Sequence, residues 1–189
     1  MQYFRELNNI INKVEVNCHK GKNILLEKAI TDIVNSIINC SKKGNKVILT
    51  GNGGSASIAS HTATDLLKNA KIPALAFSDS SLLTCLSNDL GYENVFKKPI
   101  EMLAKKGDIV FAISSSGSSK NILNAANMAK DKNCFLATLS GFKKYNPLQK
   151  LGDINFYVPS QSYGYVELTH SIICHCITDR LVEKMKGGH

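Results

Sequence analysis

Two short stretches of this 189-residue sequence gather small, hydrogen-bonding residues where an anion could be held. GNGGSAS at 51–57 sets three glycines and two serines between an apolar run and a helical pattern. Glycines let the backbone approach a ligand closely, and a helix start offers free N–H groups with positive partial charge. SSSGSS at 114–119 places the hydroxyls of Ser114, Ser115, Ser116 and Ser119 around Gly117, again just before a helical pattern. Together these donors make a phosphate cradle that needs no metal. Serine and glycine also favour ordinary caps and turns. Two such loops at neighbouring strand ends favour the binding reading. Neither is a nucleotide loop, because no GK[ST] follows and GxGxxG is absent.

A second set of residues could move protons or hold a cation. His61 and Asp65 stand at i and i+4 of a helical pattern, hence on one face. Glu167, His170 and His175 lie in the last helical pattern, Glu167 and His175 little more than two turns apart. Two histidines and two carboxylates converging on a phosphate site could bind Zn²⁺ with one position open. Taken singly, each also suits an ordinary helix surface, and His170 can simply pack beside the site.

Both sets depend on the elements that carry them. Residues 1–18 and 25–43 read as amphipathic helices joined by the polar turn HKGKN; Ile30, Ile33, Val34, Ile37 and Ile38 recur at helical spacing in the second. From 46 onward, β-branched runs alternate with helices. Strands are expected at 46–50, 73–77, 108–114, 134–140 and 154–159. Helices are expected at 55–70, around SSLLTCLSND, at 92–105, at 120–131 and at 165–185. The pattern predicts an α/β protein of three layers: a parallel five-stranded sheet with helices on both faces and an N-terminal helical extension. The expected organisation is a single domain over 1–189, with helices in 1–44 and the α/β core in 45–189. In such sheets ligands bind beyond the carboxyl ends of the strands, where both loops fall.

Bulk composition narrows the classes. Hydrophobic content of 43% and charged content of 20% suit a soluble globular chain. No apolar run is long enough to span a bilayer, and the N-terminus has no signal-peptide core, so a cytoplasmic protein without membrane partners is expected. The six cysteines form no CxxC pair and sit mostly in apolar segments, as buried reduced thiols do. The net charge of +8 comes from lysines scattered in short pairs, not from a basic arm. Nucleic acid is therefore not expected as a partner, whereas small phosphorylated substrates are.

GNGGSA, the helix bearing His61, SNDLGYENVF at 87–96 and ISSSGSSKNI together resemble the SIS family. Within it the chain is most similar to the phosphoheptose isomerases and their non-enzymatic relatives, and the resemblance spans nearly the whole chain. It implies that Asn52, Gly53, Gly54 and Ser55 line the sugar site and that Ser114, Ser115, Ser116 and Ser119 hold the phosphate. It places Asn88 and Asp89 near the sugar chain and Glu167 beside the substrate. It implies Zn²⁺, one per subunit, on His61, Asp65, Glu167 and His175, with Asp65 and His175 as catalytic residues on either side of the sugar. A homotetramer with shared sites follows from the same resemblance, as does the conversion of sedoheptulose 7-phosphate to D-glycero-D-manno-heptose 7-phosphate for surface-polysaccharide synthesis.

Four features depart from the family pattern. Asp65 replaces a glutamate, so a base there sits about 1 Å further back. Glu167 replaces a glutamine. LLKNAKIPA lacks the usual arginines, and Gly164 and Tyr165 stand where an aspartate and an arginine are usual. Two other readings share these residues: an isomerase or epimerase of another phosphosugar, and a non-catalytic binding module.

Overall fold

Strands with apolar residues of both parities need cover on two faces, and these strands have it. The computed structural model describes residues 1–18 and 21–186. Five parallel strands form the body of the sheet: β3 (Val47–Gly51), β4 (Ala74–Ala76), β5 (Ile109–Ser114), β6 (Phe135–Ser140) and β7 (Ile154–Tyr157). Two more strands, β1 (Glu15–Cys18) and β2 (Asn23–Ile24), extend it antiparallel along the free edge of β7. The order across the sheet is β2-β1-β7-β6-β5-β3-β4.

The alternation along each strand separates two cores. Val47, Leu49, Ile109, Phe111, Ile113 and Leu139 pack under α2 (Leu26–Lys42), α3 (Gly54–Lys68) and α7 (Tyr163–Lys186). Ile48, Val110, Ala112 and Leu136 face the other way, under α4 (Ser80–Leu90), α5 (Lys97–Leu103) and α6 (Lys120–Asp131). Burial on both sides, complete in β3, β5 and β7, is what a parallel sheet requires. At the amino ends of the strands, the buried Asp108 carboxylate accepts from the Lys46 and Lys105 backbone N–H groups, at 3.0 and 2.9 Å, and pairs with Lys46 Nζ at 2.5 Å. That staple ties β3 to β5 and leaves their carboxyl ends to carry the loops.

Three expectations need correction. Residues 1–18 are not one helix: α1 (Gln2–Ile11) stops, and Glu15–Cys18 becomes β1. The alternating VEV run lets Val16 go inside, 2% exposed, while β1 pairs along β7. An edge that would otherwise be open is thereby covered. The sheet accordingly has seven strands where five were expected, the five parallel ones being those read from the sequence. The helix expected at 92–105 is a 3₁₀ turn at Tyr92–Asn94 followed by α5. Pro99 explains the break, since a helix running through from 92 would need its missing N–H. The turn HKGKN and the terminal KGGH lie partly outside the described residues.

Candidate active site

β3 and β5 are neighbours, with Gly51 level with Ile113, so the loops that follow them lie side by side. Gly53 has φ +51° and ψ −123°, a combination open to glycine and strained for any side chain. It stands at the N-cap of α3, where no side chain satisfies the first N–H groups. Ser119 is the N-cap of α6, yet its hydroxyl does not cap the helix either. It lies 3.3 Å from Ser114 Oγ, which also lies 3.5 Å from Ser116 Oγ. The N-termini of α3 and α6, where the one side-chain acceptor is Asn121 Oδ1 on the Ile122 N–H at 3.0 Å, thus meet a knot of hydroxyls that share hydrogen bonds among themselves. Ser115 Oγ has no partner at all, although the residue is only 5% exposed. A buried hydroxyl without a partner and free helix N–H groups are what an anion site looks like before the anion arrives.

These groups line a cleft of about 230 Å³ that also takes in Asn52, Gly54, Ser55, Ile113, Tyr163 and Glu167. A roomier cleft of about 400 Å³ lies beside the β1–β2 edge, between Glu15, Asn23, Lys144 and Lys150. Among the described residues its lining includes no α-helix start, and Lys144 is paired with Glu15 at 2.8 Å, so the smaller cleft is the chemically equipped one.

Asn52 does not point freely into the cleft. Its amide exchanges hydrogen bonds with the buried Asn121 amide, at 2.9 and 2.8 Å, and its Oδ1 accepts from Tyr92 OH at 3.0 Å. Asn121 and Tyr92, which sequence reasoning missed, hold the first loop to α6. Tyr163 was missed too, because α7 begins two residues earlier than expected. It lines the cleft with its ring packed edge-on against Phe142, centroids 4.8 Å apart at 81°. Tyr165 faces away, stacked on Tyr3 at 4.6 Å and bonded to Glu6 at 3.1 Å, which docks α1 onto α7.

His61, Asp65 and His175 come together as read from the sequence. Asp65 Oδ2 lies 3.4 Å from His61 Nε2 and 3.7 Å from His175 Nδ1. The imidazole centroids are 5.2 Å apart, and one ligand atom from each residue falls within 4.8 Å of the others. Two imidazoles and a carboxylate so placed fit a divalent cation such as Zn²⁺ and leave room for a further ligand. α3 and α7 run side by side in the same direction, with Gly54 against Glu167 at one end and Asp65 against His175 further along. The stretch of helix from Gly54 to His61 puts the near edge of the cluster about 10 Å from the anion cleft, at the rise of an α-helix.

The structure departs from expectation at three places. Glu167 is not in the His61–Asp65–His175 group; its carboxylate lies in the anion cleft against Gly54, where a β-carbon would overlap it. The residue reaches the N-terminus of α3 because it sits two turns before His175 on a helix parallel to α3. Asp65 and His175 stand next to each other within one chain, not on opposite sides of a ligand. Asn88 and Asp89 are exposed on α4, bonded to each other at 2.9 Å, and do not line the cleft. His170 is fully buried, with Nε2 3.2 Å from Ser140 O. A carbonyl only accepts, so Nε2 carries the proton. Burial lowers the pKa to about 4, which keeps the ring neutral.

The profile of the SIS domain family matches residues 2–141. A phosphoheptose isomerase of Helicobacter hepaticus is 38% identical over 174 residues, covering 87% of this chain and 88% of that protein. A phosphoheptose isomerase of Haemophilus ducreyi is 41% identical over 157 residues, covering 80% and 77%. The solved structure of a phosphoheptose isomerase from Francisella tularensis superposes with a TM-score of 0.83 at 29% identity, covering 97% of this chain and 95% of that one.

Proposed function

The chain belongs to the SIS domain family, and from that premise we propose that it is an aldose–ketose isomerase of sedoheptulose 7-phosphate. One observation carries this reading: a hydroxyl-lined anion cleft and an acid–base cluster lie on the same two parallel helices. Helical rise sets the His61 edge of the cluster about 10 Å from the cleft. That separation suits a long-chain sugar phosphate whose reacting carbons lie at the far end from its phosphorus. A compact ligand would occupy one end and leave the other idle.

In the proposed reaction the serine loop and the N-termini of α3 and α6 hold the phosphate and fix the sugar's reach. Asp65 takes a proton from C1 of the ketose, exchanges it with solvent and delivers a proton to C2, while a proton passes from O1 to O2 through the enediol. His175, 3.7 Å from Asp65, serves the oxygen atoms as acid and base and holds the carboxylate in place. His61, at 3.4 Å from the same carboxylate oxygen, keeps Asp65 from turning away. A cation held by His61, Asp65 and His175 would supply Lewis-acid stabilisation of the developing oxyanion. Zn²⁺ suits this donor set, with Glu167 left to the cleft. The product is D-glycero-D-manno-heptose 7-phosphate, a precursor for surface polysaccharide.

The same premise supports a cytoplasmic homotetramer acting on a small molecule as one domain over 1–189. Among the described residues no helix is long and apolar enough to cross a membrane. Purified protein incubated with sedoheptulose 7-phosphate, with and without Zn²⁺, should release aldose phosphate; no turnover in either condition contradicts the assignment.

A second reading is favoured by Tyr163 and Glu167 at the cleft: an isomerase of another phosphosugar of similar length. Thermal shifts across a panel of pentose, hexose and heptose phosphates separate the two, since a ligand of the native state raises the melting temperature. A larger shift with a sugar other than sedoheptulose 7-phosphate favours the second.

A further inference from the structure

The serine loop is gripped from behind by one segment, residues 141–149, which stays out of the lining of the cleft. The Gly141 N–H donates to Ser115 O and the Leu148 N–H donates to Gly117 O, both at 2.9 Å. Two residues between these donors, Phe142 and Tyr145, hold φ at +55° and +61°. Such a backbone costs a residue with a side chain on the order of 1–3 kcal/mol and persists only where its surroundings over-determine it. Asn146 does much of that work. It is 4% exposed, its amide donates to Gly141 O at 3.3 Å and Lys143 O at 3.1 Å, and its Oδ1 accepts from the Gln149 N–H at 3.0 Å. The same amide lies against Gly117, where φ is +62° and a β-carbon would overlap it.

We infer that Asn146 is a positioning residue for the phosphate, one that touches no ligand but sets where the Ser114–Ser119 loop stands. This rests on the phosphate reading of the cleft given above. Between the end of β5 and the start of α6, the hydroxyls of Ser114, Ser116 and Ser119 bond to one another and to N–H groups of their own loop. The place of that loop relative to the cleft therefore depends on the two carbonyl bonds to the segment behind it. Asn146 ties the residues beside both donors into one unit, so that the spacing of the Gly141 and Leu148 N–H groups matches the Ser115 and Gly117 carbonyls. Without its amide, Phe142 and Tyr145 relax, the two donors part, and the phosphate hydroxyls move with them. A displacement of about 1 Å in a group far from the chemistry can cost up to about 10²-fold.

Asn146→Ala and the milder Asn146→Ser test this in the full chain, by calorimetric titration with inorganic phosphate and by steady-state turnover of sedoheptulose 7-phosphate. Both variants should bind inorganic phosphate on the order of tenfold more weakly and raise KM by a similar factor. Their kcat should stay within about threefold, because the lost interaction is with the phosphate and not with the reacting carbons. Ile33→Val, on the buried face of α2, controls for stability alone: it should lower the melting temperature and leave phosphate affinity within about twofold. If Asn146→Ala does not fold, Asn146→Ser carries the test. Unchanged phosphate affinity in a folded Asn146 variant overturns the inference and leaves the phosphate reading intact, as does a loss confined to kcat. A wild type that binds no inorganic phosphate contradicts the phosphate reading, and the inference with it.

Discussion

Replacing Ser115 by alanine should make the ligand-free protein more stable and its phosphate binding weaker, two effects that rarely go together. The Ser115 hydroxyl is buried, with the residue 5% exposed, and has no hydrogen-bond partner. A buried polar group left unsatisfied costs about 1–3 kcal/mol, which Ser115→Ala relieves. For a chain of this length that corresponds to a rise in melting temperature of roughly 2–4 °C per kcal/mol. With a phosphate in the cleft the sign reverses. A hydrogen bond to a charged acceptor contributes about 1.5–3 kcal/mol, so the variant should lose roughly 10- to 150-fold in phosphate affinity. The two halves are read by differential scanning fluorimetry in phosphate-free buffer and by calorimetric titration with inorganic phosphate. Ser116→Ala is the control, because Ser116 Oγ already accepts from the Ser118 N–H and hydroxyl, at 3.3 and 3.2 Å, and its loss should lower the melting temperature. A Ser115→Ala protein that is less stable and binds phosphate as before would refute the idea of a cleft with donors held in reserve.

Four further substitutions probe the cluster, the first loop and the buried histidine. Asp65→Asn and His175→Ala should each lower turnover of sedoheptulose 7-phosphate by about 10²- to 10⁴-fold, with phosphate affinity in calorimetry within a factor of about two, since the near edge of the cluster lies about 10 Å from the cleft. Gly53→Ala should destabilise the fold by about 1–3 kcal/mol, visible in urea denaturation, because a positive φ with this ψ strains any side chain. His170 titrates at about 4 when folded, against an ordinary value of 6.5. Below about pH 6.5 the unfolded chain therefore takes up a proton that the folded one refuses. Stability from this residue is complete above about pH 6.5 and is lost as pH falls toward 4, at about 1.4 kcal/mol per pH unit. Melting curves of the wild type and His170→Gln between pH 7.5 and 4.5 should converge on acidification; parallel curves would count against it.

How far the sequence could be read depends on the range of the interaction concerned. The five parallel strands were readable because residues such as Val47, Ile48 and Leu49 are apolar at every position, a signature of cover on both faces. β1 was not, because so short a strand depends on β7, near the other end of the chain, and on the two-residue β2 for its pairing, while the residues before it carry a helical pattern. The serine loop and the His61–Asp65 pair are local in sequence and were visible. The Asn52–Asn121 amide pair, the Tyr163–Phe142 contact and the placement of Glu167 join separate elements. Their geometry comes from packing that no spacing rule encodes. Glu167 illustrates the limit: its type and helix were read correctly, but a helix parallel to α3 delivers it to the anion cleft and leaves three residues at the cluster.

If a phosphate-anchored ketose exchanges a carbon-bound proton at the Asp65–His175 pair, solvent deuterium must enter the sugar. Incubation of sedoheptulose 7-phosphate with the protein in D₂O, followed by NMR, tests this most directly. Aldose phosphate should carry deuterium at C2 and recovered ketose should carry it at C1, and Asp65→Asn should abolish both. Recovery of the ketose unchanged and free of deuterium after incubation with the wild-type protein and Zn²⁺ would contradict the proposed chemistry.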